Sequence, residues 1–277
     1  MAHRYFEGKV HAMLYAKYRT VPPSALIQRM ISFLKEKYKG PLDLAYDVGC
    51  GSGQSTGFLA PYFKRVVGTD ISASQIEQAE NKSTDKNVTY IVSPAENIPE
   101  KDKTVQMISV SQAAHWFDLP KFYDEGKRVL TPGGVCCLYG YEFPRFRWDK
   151  DPSLNSSLDE ALDQFYWDEL KEYVMQGSRE VYLNKYELPK YVPNFASEFI
   201  RDDTLYHEMP TSVSDIVNYC FTWSGYQNFV KQHGENEGIK LLAKFQDRVM
   251  TVLDVSTSPE DTMLTRRTSF FLLMARV

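Results

Sequence analysis

The stretch Leu42-Asp43-Leu44-Ala45-Tyr46-Asp47-Val48-Gly49-Cys50-Gly51-Ser52-Gly53-Gln54 decides the fold. A short apolar run ends in an acid and is followed by three glycines at alternate positions. A second apolar run, Val66-Val67-Gly68-Thr69, ends in Asp70. Buried strands that finish in a Gly-rich turn and a terminal carboxylate build a nucleoside crevice at the carboxyl end of a parallel sheet. The glycine spacing narrows the choice of nucleoside. A dinucleotide site wants G-x-G-x-x-G, with the pyrophosphate on the following helix N-terminus. Counted from Gly49 the third position is Gln54, and counted from Gly51 it is Thr56, so the pattern fails in both registers. Gly49, Gly51 and Gly53 suit a turn that approaches a ligand without a phosphate bridge. Asp70 is placed for ribose hydroxyls, a feature that NAD sites share.

Working outward, the chain alternates strand and helix. Pro22-Pro23-Ser24 opens a helix with Leu26, Ile27, Met30, Ile31 and Leu34 on one face, and Lys39-Gly40-Pro41 stops it. The first strand runs to Asp47, and the glycine turn leads into a helix containing Phe58 and Leu59. The second strand ends at Asp70, and Ser72 with Gln75 forms a capping box for the next helix. Val88–Val92, Val105–Val110 and Val135–Tyr139 read as strands three to five. The pattern predicts an α/β, Rossmann-like, doubly wound and mostly parallel sheet. From about Tyr141 the character changes. Residues 141–200 are rich in aromatic and charged side chains, among them Phe143, Trp148, Phe165, Tyr166, Trp167, Tyr186 and Tyr191. They read as a helical cap inserted after strand five. Ile200–Met209 reads as strand six, Thr211–Asp215 opens another helix, and Thr268–Met274 is the last strand.

These motifs together resemble a class I S-adenosylmethionine (SAM)-dependent methyltransferase over residues 42 to about 140. Asp47–Gln54 is similar to the first motif of that family, and Gly68-Thr69-Asp70-Ile71-Ser72 to its ribose-binding strand end. Ser93-Pro94-Ala95-Glu96-Asn97-Ile98-Pro99 is similar to the adenine-side loop, and Leu130-Thr131-Pro132-Gly133-Gly134 to the turn before strand five. Gln112-Ala113-Ala114-His115-Trp116-Phe117 resembles a segment of the trans-aconitate methyltransferase-like (methyltransferase type 11) group. The resemblance implies a seven-stranded sheet closed by a late hairpin. It divides the chain into an N-terminal helical segment over the cofactor (1–40), the SAM-binding core (41–140), the aromatic-rich substrate insertion (141–200) and a C-terminal completion of the sheet (201–277).

SAM carries its methyl on a sulfonium, so the protein's work is largely orientation of the acceptor. The expected cofactor-binding residues are Tyr18, Asp47, Gly49, Gly51, Gln54, Asp70, Ile71, Ala95, Glu96 and Ser111. Asp47 orders the loop or attracts the cofactor ammonium, and Ile71 covers the adenine. Two readings stand for Glu96, an adenine contact or a helix-start charge. Tyr18 belongs to Tyr15-x-x-Tyr18-Arg19, which resembles a family segment folded over the cofactor. Gln112, His115 and Trp116 are the candidate substrate contacts. His115 is either a general base or a histidine bonded within its own loop, and carboxylate acceptors need no base. A carboxylate acceptor would call for an arginine, with Arg19, Arg145, Arg147, Arg179, Arg266 and Arg267 as candidates.

The bulk numbers exclude other classes. The chain has 277 residues, 43% hydrophobic and 25% charged, which describes an ordinary globular protein. A net charge of −4 argues against a general grip on nucleic-acid phosphates. Cys50, Cys136, Cys137 and Cys220 form no C-x-x-C and no zinc spacing, so no metal is expected. Cys136 and Cys137 lie in one strand and point to opposite faces. No signal-peptide core follows Met1 and no 18-residue apolar run exists, which makes a cytoplasmic location the default. The expected partner is a small-molecule methyl acceptor, with the protein a monomer or homodimer and no nucleic acid or membrane involved. A SAM-binding protein without catalysis, and an NAD-dependent oxidoreductase, are the alternatives.

Overall fold

A computed structural model describes Tyr18 and residues 20–277. Tyr15, Arg19 and the stretch after Met1 lie outside the described residues. The chain divides into two compact units, one made of 21–142, 181–205 and 269–277, the other of 1–20, 143–180 and 206–268.

The first unit is the sheet unit. Helix α1 (Ser24–Lys37) precedes β1 (Leu44–Val48), then β2 (Arg65–Asp70), α2 (Ala73–Lys82), β3 (Val88–Val92), β4 (Val105–Ser111), α3 (Leu119–Val129) and β5 (Leu130–Tyr141). Strands β1 to β5 are parallel in the order β3-β2-β1-β4-β5. The order reverses between β1 and β4, the place where doubly wound sheets bind ligands. Both faces are covered. Tyr46, Ile108, Cys136 and Leu138 pack into one buried cluster, and Ala45, Met107, Cys137 and Tyr139 into the other. Strand alternation therefore sends Cys136 and Cys137 to opposite faces, as the sequence predicts. Ser72 caps α2 by accepting from the Gln75 N–H, and α1 starts after Pro23.

Two local expectations are corrected. The helix expected after the glycine turn is a single 3-10 turn, Thr56–Leu59. Ser55 and Thr56 turn their hydroxyls back onto Asp47, and Pro61 follows at once, leaving no room for longer helical pairing. Strand six is two strands, β7 (Glu198–Asp202) and β8 (Tyr206–Ser212). Between them Asp202 accepts from both the main-chain N–H and the hydroxyl of Thr204, a side-chain turn that breaks the extended run.

The last strand, β9 (Met263–Arg276), is 14 residues long, and this length explains why the sheet has nine strands rather than seven. Its C-terminal part pairs antiparallel with β5 and with β7, giving seven strands in the sheet unit. Its earlier part pairs with β6 (Arg145–Arg147), and β8 also pairs with β9.

The second unit is mainly helical. It holds α4 (Asn155–Asp163), which widens into a π-helical turn over Gln164–Glu169, the start of α5 (Gln176–Asn184), and α6 (Val213–Phe221), α7 (Ser224–His233) and α8 (Glu235–Leu253). Aromatic side chains hold it together. Phe165 stacks on Phe245 at 4.6 Å, and Trp223 meets Phe143, Phe165, Tyr166 and Tyr219. Arg248 reaches Glu169 at 2.6 Å. No helix of the described residues is long and apolar enough to cross a membrane.

Candidate active site

The carboxyl ends of β1 to β4 converge on the glycine turn. Gly49 and Cys50 donate their main-chain N–H groups to the Thr69 carbonyl, at 2.7 and 2.9 Å, which ties the turn to the end of β2. Gly49 has φ +71°, and a Cβ there would lie 2.6 Å from the Ala113 Cβ and 3.0 Å from the Phe117 ring. Only glycine meets both the backbone geometry and the close approach.

Two carboxylates organise this turn differently. Asp47 is fully buried; its Oδ2 accepts from Ser55 Oγ at 2.9 Å and Thr56 Oγ1 at 2.7 Å. Burial pushes its carboxyl up to about 6, although the two hydroxyls oppose the shift. Asp70 is half-buried at the end of β2. Its Oδ2 accepts from Gly51 N and its Oδ1 from Ser72 N, both at 2.9 Å, so each oxygen keeps acceptor capacity.

Beside Asp70 opens a cleft of about 210 Å³ lined by Gly49, Asp70, Ile71, Ser93, Pro94, Ala95, Glu96, Ala113, Trp116 and Phe117. Six expected residues meet there: Gly49, Asp70, Ile71, Ala95, Glu96 and Trp116. Ser93, Pro94, Ala113 and Phe117 were not singled out as contacts, although each stands inside a quoted motif, the adenine-side loop or the Gln112–Phe117 segment, and that membership was the available signal. Ile71 stands 71% exposed on the rim. Glu96 Oε1 accepts from the Asp118 N–H at 2.7 Å, pinning the entrance to α3.

The other expected residues lie outside this lining. Gly51 supplies an N–H to Asp70, and Gln54 is exposed. Ser111 ends β4 with its hydroxyl toward the Tyr139 phenol. Gln112 has φ +51°, its Nε2 donates to the Tyr141 carbonyl at 3.4 Å, and its buried Oε1 has no partner among the described residues. His115 Nδ1 sits 2.9 Å from the Tyr186 hydroxyl. In the helical unit, Tyr18 donates its hydroxyl to Asp215 at 2.8 Å, and Arg266 donates to the Tyr18 carbonyl. Arg145 and Arg147 pair with Asp163 and Asp159, while Arg179 lies over Trp167 and Arg267 over Tyr206. Among the described residues no group of His, Cys, Asp or Glu could hold a metal ion.

The cleft suits an adenosine with a cationic tail. Asp70 can take the ribose diol, the small Ala95 and the rings of Trp116 and Phe117 give an apolar slot, and Glu96 is a polar acceptor beside it. Asp47 is fully buried and lies outside this lining, and its Oδ1 has no hydrogen-bond partner among the described residues. The charged side chains of this lining are the carboxylates of Asp70 and Glu96, which disfavour a phosphate bridge.

Comparison with known proteins agrees. The family model for a methyltransferase domain matches residues 46–138. A methyltransferase of Dictyostelium discoideum is 37% identical over 191 residues, 68% of this chain and 67% of that protein. A SAM-dependent methyltransferase of Saccharomyces cerevisiae is 29% identical over 182 residues, 61% of this chain and 58% of its own length. Among solved structures, a protein classed as a type II methyltransferase from Anaeromyxobacter dehalogenans superposes with a TM-score of 0.71 at 27% identity, covering 94% of this chain and 98% of that one. With the failed dinucleotide spacing, this removes the NAD-dependent alternative and that of a non-catalytic binder. The chain belongs to the class I SAM-dependent methyltransferases, enzymes whose cofactor is S-adenosylmethionine.

Proposed function

We propose that the chain transfers the methyl of SAM directly to an oxygen or nitrogen of a small molecule, with carboxylates within its acceptor class. The observation that carries this reading concerns its thiols. All four cysteines are buried, and burial pushes each thiol up, Cys136 to about 12. None lines the cleft, so no thiolate is at hand for a covalent relay. The acceptor's own lone pair then attacks the methyl in line with the sulfonium, and the protein contributes orientation. Gln112, His115 and Trp116 form the loop that follows β4, and in this reading they face the acceptor. The segment 141–200 is the candidate for acceptor recognition. The protein works in the cytoplasm as a monomer or homodimer without a nucleic-acid partner.

The test is a cell extract incubated with the enzyme and methyl-labelled SAM. A low-molecular-weight labelled product is expected, released by mild alkali if it is a carboxylate ester. Label confined to protein or nucleic acid would overturn the reading.

A further inference from the structure

Two segments of the sheet unit frame the cleft: the loop after β3, with Ala95 and Glu96, and the segment after β4, with Ala113, Trp116 and Phe117. The second segment is an aromatic wall. A Cβ on Gly49 would meet both Ala113 and the Phe117 ring, so the glycine turn lies directly against it. The wall closes its own 3-10 turn, with Trp116 N–H donating to the Ala113 carbonyl at 2.9 Å and Phe117 N–H to the Ala114 carbonyl at 3.2 Å. The next residue, Asp118, is the N-cap of α3, and its N–H is satisfied from outside the segment.

A helix can satisfy that N–H by itself. In a capping box the third helical residue, a Glu or Gln, reaches back to the N-cap N–H. The third residue of α3 is Lys121, which has only donors, and it pairs with the Asp118 carboxylate at 2.6 Å instead. The acceptor comes from the other side of the frame: Glu96 Oε1, 22 positions upstream, takes the Asp118 N–H at 2.7 Å. The far end of the Glu96 loop is tied to the same helix. Ile98 N–H donates to Glu125 Oε2 at 3.0 Å, and Arg128 Nη2 donates to the Ile98 carbonyl at 2.9 Å. The Phe117 ring meets Phe122 of α3 at 5.1 Å. Loop, helix and wall thus form a closed frame. Of the three hydrogen bonds that tie the loop to the helix, the one from Glu96 is made by a cleft-lining side chain.

We propose that Glu96 is a positioning residue that sets the width of the cofactor slot: by capping α3 from the adenine-side loop, it holds the Trp116–Phe117 wall at a fixed distance from Ala95. The proposal rests on SAM occupying this cleft and is independent of the acceptor that is methylated. Groups that touch a ligand are held only as well as the residues behind them. Without the link, the wall moves with the first turn of α3 and the adenosine loses its fitted slot. Glu96 acts on the cofactor through residues 116 and 117, so a neutral acceptor of the same shape can replace it.

The bond is read without ligand, from hydrogen exchange of the Asp118 amide followed by NMR. Exchange is expected to quicken roughly tenfold or more in Glu96→Ala and to stay near wild type in Glu96→Gln, which keeps a carbonyl oxygen for the N–H. Calorimetric titration with S-adenosylhomocysteine reads the consequence. Glu96→Ala should weaken binding about fivefold or more, and Glu96→Gln by less than about twofold. Equal losses in the two variants overturn the proposal, because the ligand then needs the carboxylate itself. Deleting the donor is the independent arm. Asp118 has φ −74°, which proline adopts, and Phe117 before it has φ −87° and ψ 152°, the region favoured ahead of proline. Asp118→Pro therefore removes the N–H at little backbone cost, and Asp118→Ala controls for the lost side chain. Asp118→Pro is expected to match Glu96→Ala, and Asp118→Ala to match the wild type. The double variant Glu96→Ala/Asp118→Pro should bind within about twofold of either single one. Full affinity in Asp118→Pro, or losses that add, overturn the proposal. Should Asp118→Pro fail to fold, the two Glu96 variants decide alone. Unchanged affinity in Asp70→Asn would overturn the cofactor reading of the cleft and the slot with it, and the amide exchange separates that failure from a missing bond.

Discussion

The two units achieve order by different means. In the sheet unit the candidate site sits at strand ends: Asp47 is the penultimate residue of β1 and Asp70 the last of β2, and register fixes where their carboxylates stand. Packing and chemistry share one pattern there, because alternation buries both faces and leaves the carboxyl ends for ligand. The helical unit rests on side-chain interdigitation among Phe143, Phe165, Tyr166, Trp223 and Phe245, and no polar constellation recurs at a fixed spacing. Stability and cofactor binding should therefore respond separately to changes in the two units.

The largest effect belongs to the helical unit. Phe165 is fully buried against Phe245 and Trp223. Phe165→Ala is expected to cost about 3–5 kcal/mol, the range for an aromatic-to-alanine core cavity. S-adenosylhomocysteine affinity should move by less than about twofold at a temperature where the variant stays folded. Denaturant unfolding and calorimetric titration measure the two quantities. A parallel loss of both would mean that the units do not respond separately.

Next comes Asp47, where stability and binding oppose each other. Its carboxyl rises from an ordinary aspartate value to about 6 in the fold, so the folded state binds the proton more tightly than the unfolded chain. The stability this group contributes is full below about pH 4 and is lost as pH rises through about 6. Asp47→Asn should thus match the wild type at low pH and exceed it above pH 6, by roughly 3 kcal/mol for a shift of about two units. On the reading that Asp47 attracts the cofactor ammonium, the same substitution removes that charge, and S-adenosylhomocysteine should bind more weakly. Wild-type affinity should fall as pH drops through 6. Melting curves across pH, wild type against variant, give the sign directly; a variant less stable at neutral pH contradicts it.

Asp70→Asn is expected to weaken S-adenosylhomocysteine by about 1.5–3 kcal/mol, the worth of a hydrogen bond to a charged group. Asparagine keeps an acceptor for one of the two main-chain N–H groups, so most of the turn should survive. An unchanged dissociation constant would remove Asp70 from the ribose site.

These contrasts also explain what could be read from the sequence. The placement of Asp47, Gly49 and Asp70 around one strand-end turn was legible because strand periodicity and turn chemistry are local. Cys136 and Cys137 were legible for the same reason. The link from His115 to Tyr186 was not, since it joins residues 71 apart through a left-handed bend that no propensity anticipates. The break at Asp202-Asp203-Thr204 was hidden inside an apparently continuous strand. Aromatic residues in 141–200 announced burial without saying which helix would meet which. Length misled as well: β9 looked like a seven-residue strand, and its earlier residues pair with β6.

The smallest expected effect falls on Ile71, and it separates ligand packing from fold packing most cleanly. Its side chain is 71% exposed, so trimming it removes little buried surface from the protein itself. It also lines the cleft on the Asp70 side, where an adenosine would cover it. At about 25 cal/mol per Å² of apolar surface, covering a few tens of Å² contributes less than about 1 kcal/mol. Ile71→Ala should therefore leave the melting temperature within about 1 °C of wild type, since exposed substitutions change stability little. It should weaken S-adenosylhomocysteine roughly two- to fivefold, with a smaller negative heat-capacity change on binding, because less apolar area is taken from water. An unchanged affinity would mean that the adenine turns away from this side of the cleft, toward Trp116 and Phe117. A large drop in melting temperature would instead mean that Ile71 supports the turn after β2 and acts on the ligand through Asp70.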